Sequence, residues 1–73
     1  MAKHKQDHPH SSSITCCEHD DETNEMHITF ASGGKHKFKD VPKEVYDALN
    51  AADSKGSHFH QHIRRKYESA KVD

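Results

Sequence analysis

The sequence predicts an α+β fold: a three-stranded antiparallel sheet followed by two helices packed on one face, in the order β-β-β-α-α. Three observations carry that expectation. The segments Met26–Phe30 and Lys35–Lys39 each alternate between two kinds of side chain with the period of a strand. Between them, Ser32-Gly33-Gly34 supplies residues that accept positive φ in a tight turn. Beyond Pro42, apolar residues recur at spacings of three and four, the period of an amphipathic helix.

Residues 1–12 carry three histidines, a proline and the start of a serine run, with Ala2 the one apolar side chain after Met1. Such a segment buries too little surface to offset its ordering entropy, so it is expected as a disordered N-terminal tail. Ile14-Thr15-Cys16-Cys17 opens the first strand, with Ile14 and Cys16 on one face and Cys17 on the other. The polar run His19-Asp20-Asp21-Glu22-Thr23-Asn24 reads as a hairpin turn. In the second strand Met26, Ile28 and Phe30 share a face. In the third, Lys35, Lys37 and Lys39 lie opposite His36 and Phe38. Pro42 suits a helix start, and Glu44 in the first turn favours the helix dipole. Val45, Leu49 and Ala52, flanked by Tyr46 and Ala48, form the apolar face of that helix. Gly56 is expected in a left-handed turn, with Ser57 as the N-cap of the next helix. Phe59, Ile63 and Tyr67 follow at intervals of four, and Arg64, Arg65 and Lys66 sit late in this second helix. The domain is expected to span residues 13–68, with 69–73 frayed. Its expected core is Ile14, Cys16, Met26, Ile28, Phe30, Phe38, Val41, Val45, Tyr46, Leu49, Ala52, Phe59, Ile63 and Tyr67.

A chain of 73 residues holds one domain, and its 30% hydrophobic content implies a thin core. Adjacent cysteines rarely bridge, because a trans peptide holds their Cα atoms about 3.8 Å apart. No disulfide framework is expected, and a reduced, cytoplasmic compartment follows as the expectation. No apolar run approaches the roughly 20 residues of a membrane span. The net charge of −1 is unevenly spread: residues 1–34 hold two lysines against six acids, residues 35–73 nine Lys or Arg against six. A mildly basic second half is compatible with a polyanionic partner.

Four segments together resemble the KTSC domain: Phe30-Ala31-Ser32-Gly33-Gly34, Asp40–Tyr46, Ala52–Phe59 with its Ser54-Lys55-Gly56, and Ile63-Arg64-Arg65-Lys66-Tyr67. The family takes its name from the C-terminus of some lysyl-tRNA synthetases and also occurs as a small stand-alone bacterial protein. That association implies RNA as a ligand class. The family's central Tyr-x-Tyr motif falls on His36-Lys37-Phe38, so both of its tyrosines are replaced in this chain.

The residues themselves offer three chemistries. Lys35, Lys37 and Lys39 project from one strand face at intervals of about 6.6–6.8 Å, near the spacing of phosphates on a single strand. With Arg64, Arg65 and Lys66 they form the expected nucleic-acid-binding surface, while aromatic stacking requires His36 or Phe38 to be accessible. Lysines on a strand serve equally to keep an edge from aggregating. His58 and His62 have the spacing of a helical zinc pair, but Cys16 and Cys17 point to opposite faces of a strand, so no metal site is expected. Cys17 near His19 is the one nucleophile–base pairing, with no third orienting group and no oxyanion hole. No catalytic residue and no cofactor are expected. The chain reads as a binding or accessory module for RNA or single-stranded nucleic acid. The alternative is a protein-interaction module or homodimer that uses an open sheet edge.

Overall fold

A computed structural model describes residues 3–72. Residues 1–2 of the expected tail and residue 73 of the expected frayed end lie outside the described residues. Among the described residues five antiparallel strands form one sheet in sequence order: β1 (Lys3–Asp7), β2 (Ile14–Asp20), β3 (Glu25–Phe30), β4 (Lys35–Phe38) and β5 (Ser69–Lys71). Helices α1 (Lys43–Ala51) and α2 (Lys55–His62) lie between β4 and β5 in the chain. The α+β class, the antiparallel sheet and the two helices agree with the sequence; the number of strands does not. Two further strands occupy segments expected to be a tail and a frayed end. Both are edge strands with almost every side chain exposed. Backbone pairing holds them in place, and hydropathy does not register backbone pairing.

The register of β2 departs from the expected alternation. Ile14 pairs with Phe30, but Cys16 pairs with Thr29 and Cys17 with Ile28, so Thr15 is an inserted bulge residue. One extra residue reverses the facing of everything after it. Cys17 and His19 therefore turn into the core and Cys16 turns out, the reverse of the expected assignment. The strand also runs on through His19 and Asp20, which the polar run predicts as turn, and the hairpin closes on Asn24 at φ 56°.

Pro42, with φ −64°, occupies the N-cap position of α1, and Glu44 lies in its first turn. The second helix starts earlier and ends earlier than expected. Its N-cap is Ser54, and Gly56 lies inside it, where an added Cβ would come 2.7 Å from Ser13 Oγ. This glycine is required by close packing of α2 on the start of β2, not by a left-handed turn. Because α2 stops at His62, Arg64, Arg65 and Lys66 lie in the turn that leads back to β5, outside the helix.

Both helices cover one face of the sheet. Ile14, Cys17, Met26, Ile28 and Phe38 from the strands meet Val41, Tyr46, Leu49, Phe59 and Ile63 in the core, with Phe30, Val45 and Tyr67 packed at its margin. The opposite face is open. Among the described residues no helix is long and apolar enough to cross a membrane.

Candidate functional site

Phe30 ends β3, and His36 and Phe38 alternate on the helix-facing side of β4. Phe59 descends from α2 between them. Its ring meets Phe30 edge-on at a centroid distance of 5.3 Å and Phe38 at 5.5 Å. His36 meets Phe30 edge-on at 5.4 Å. Such edge-to-face contacts are the favoured arrangement of aromatic quadrupoles. The helix ends before it can cover this corner, so a cleft of about 250 Å³ remains, lined by Phe30, His36, Phe38, Phe59, Arg64 and Ser69. Phe38 and Phe59 are buried, whereas Phe30 and His36 are half-buried and Arg64 is exposed.

The rim is cationic. Arg64 donates from Nη1 to His60 Nδ1 at 3.3 Å, an exposed contact. Lys71 stands opposite His36 in the β4–β5 register, and paired residues of antiparallel strands share a face. Among the described residues no Asp or Glu lines the cleft. The arrangement can stack a planar ring against Phe30 and His36 while a guanidinium reaches an attached anion.

The cationic side chains expected to act together are divided by the sheet. Lys35 and Lys37 project from the open face, where Glu18 lies 3.6 Å from Lys35 and Glu25 lies 3.5 Å from Lys37. Lys39 follows β4 and is exposed, its N–H bonded to the Glu68 carbonyl at 3.1 Å. Arg64 is on the helix-covered side, beside His36 and Phe38, and Arg65 and Lys66 are exposed in the same turn. Since β4 is flanked by β3 and β5, its lysines guard no edge. The sequence predicts Phe30 and Phe59 as plain core, and Ser69 and Lys71 as frayed chain. The position of Phe30 at the very end of a strand, beside a glycine turn, is the sequence signal that it borders an opening.

Two other clusters hold titratable groups. His19 is 2% exposed, the one buried polar or charged residue among those described. It donates Nε2–H to the Val41 carbonyl at 2.6 Å, and its Nδ1 lies 3.1 Å from Asp21 Oδ1. Asp21 Oδ2 in turn lies 2.9 Å from Nε2 of His4 on β1. The His4 hydrogen bond, reinforced by His19, holds the Asp21 carboxyl below the usual aspartate range. On α2, His58 and His62 stack at 4.6 Å. Burial, with His62 adding to it, moves the His58 imidazole down. Among the described residues no group of three or more His, Cys, Asp or Glu side chains converges as metal ligands. Burial also pushes the Cys17 thiol up to about 12, which removes the thiolate a nucleophile needs.

Comparison with known proteins places this chain among small domains of one kind. The KTSC domain family model matches residues 10–67. An uncharacterized protein of Stutzerimonas stutzeri (strain A1501) is 41% identical over 51 residues, 70% of this chain and 72% of that protein. The crystal structure of a KTSC domain protein from Yersinia pestis superposes with a TM-score of 0.88 at 26% identity, over 99% of this chain and 100% of that one.

Proposed function

The chain belongs to the KTSC domain family, and from that premise we propose that it is a non-catalytic binding module for single-stranded nucleic acid, RNA in the first place, which it engages at the aromatic cleft. The observation that carries this reading is the meeting of half-buried Phe30 and His36 with Arg64 at the cleft rim. The aromatic walls accept the face of any base, and Arg64, with Arg65 and Lys66 beside it, is available to the phosphates. Lys35 and Lys37 are secondary on this reading, because engaging a phosphate would break their pairs with Glu18 and Glu25. With a net charge of −1 the affinity is modest. Two phosphate contacts would give a log–log salt slope of about −1.4.

The test is an NMR titration at low salt with a mixed-sequence oligoribonucleotide, followed by anisotropy on variants. Resonances of Phe30, His36 and Arg64 are expected to move first. Phe30→Ala should weaken binding by about 1–3 kcal/mol, the value of one stacked base. Arg64→Glu should weaken it more than Lys37→Glu. Absence of any shift at the cleft at low salt would sink the reading.

A second reading rests on the β5 edge. Val72 and Lys39 bond to the carbonyls of Lys35 and Glu68, so the backbone groups of Ser69 and Lys71 point away from β4, toward the outside of the sheet. A strand from another protein or a second copy could extend the sheet there. Sedimentation would report self-pairing as a concentration-dependent mass, and a strict monomer would remove the second copy as occupant.

A further inference from the structure

We infer that the cleft is a proton-linked anion site, in which His60 and His36 set how strongly Arg64 and its neighbours hold a phosphate; this rests on the nucleic-acid reading above. The geometry starts with Arg64. Its Nη1 donates to His60 Nδ1, which is an acceptor only while that nitrogen carries no proton. Protonated His60 can no longer accept this bond. The guanidinium, already at the cleft rim, then loses that partner, and a second positive charge appears beside it.

His36 acts from the cleft wall. It is half-buried, edge-on to Phe30 and tilted against Phe38 at 6.5 Å. A proton gained there places a cation inside the cleft. Among the described residues the neighbouring elements supply no countercharge: β3 presents Phe30 and Ile28, α2 presents Phe59, the turn presents Arg64, and β5 presents Ser69 and Lys71. Among the described residues a protonated His36 therefore meets only rings and cations until an anion enters, a protonated His60 lies beside Arg64 and Phe59, and the bound phosphate and the protons stabilise one another.

The experiment measures anisotropy of an oligouridylate that lacks a terminal phosphate and carries a pH-insensitive dye. Its charge is constant across the range, so any change in affinity comes from the protein. Ionic strength is fixed, and circular dichroism at each pH confirms that the fold persists. Wild-type binding should be about tenfold tighter at about pH 6 than at about pH 8, the interval in which histidine changes charge. His36→Tyr combined with His60→Gln should remove this dependence, whatever the absolute affinity of the double variant. Calorimetry in two buffers of different ionisation enthalpy should record proton uptake on binding for the wild type and none for the double variant. Binding that is flat in pH, or equally steep in the double variant, overturns this inference and leaves the binding module standing. No binding at any pH overturns both.

Discussion

Cys17 lies beneath the helices, and burial pushes its thiol up to about 12, whereas its neighbour Cys16 is half-buried on the open face. Burial, then the hydrogen bond and charge of Asp7, also raise the Cys16 thiol, so neither is an activated nucleophile. The expected outcome with a thiol reagent at mildly alkaline pH is slow labelling of Cys16 in the native protein and labelling of Cys17 only in denaturant. Equal native rates at both positions would refute the inward turn of Cys17. The sequence could not assign these faces. Alternation read from Ile14 puts Cys16 inside, and the single bulge at Thr15 is decided by how β2 meets β3. His19 was hidden for the same reason: a polar residue in a polar run gives no sign that it will be buried and satisfied by Val41 and Asp21.

At the scale of elements, β1 shows how an exposed strand is held. Its side chains contribute little burial, and beyond the ladder with β2 it is tied by His4 to Asp21 and by His8 Nε2 to Asn50 Oδ1 at 2.8 Å. Asp21 gives this tie a pH dependence. Its folded-state carboxyl lies below its unfolded value, so its contribution is complete above the unfolded pKa of about 3.9 and is lost as pH falls through the folded value. Urea midpoints at about pH 7 and about pH 3 should therefore fall further for the wild type than for Asp21→Asn. Equal falls would show that the His4–Asp21–His19 chain adds nothing to acid stability. The helices, by contrast, were legible in advance. Val45, Tyr46 and Leu49 mark α1 by period alone, and Pro42 marks its start. The end of α2 was not legible, because Phe59, Ile63 and Tyr67 keep helical spacing although the chain leaves the helix at His62.

At the scale of the molecule, one layer of helices on one layer of sheet leaves a core of ten buried apolar residues among those described. Phe38 is the largest fully buried side chain and touches both layers. Phe38→Ala is expected to cost about 3–5 kcal/mol. That equals most of what a single core of this size supplies, so the variant should be largely unfolded by circular dichroism at room temperature. A cooperative native transition with a small shift in midpoint would contradict this. The two sides of the sheet also differ in character. On the open face the lysines of β4 are matched by Glu18 and Glu25, while the cleft side gathers Arg64 and Lys71 with no carboxylate among the described lining residues.

By itself the sequence determined the class of the fold, the two central hairpins, the start of α1 and most of the core, because these follow from local periodicity, turn chemistry and hydropathy. It also placed His36 and Phe38 together on one side of a strand, away from the lysines. Tertiary structure decided what depends on pairing between distant segments. Backbone hydrogen bonds, to which hydropathy is indifferent, recruited β1 and β5 into the sheet. A one-residue bulge exchanged the facing of the two cysteines. The early end of α2 left Arg64 in a turn beside a corner that the helix does not cover, so an aromatic cleft with an arginine at its rim stands on the side of the sheet opposite Lys35 and Lys37.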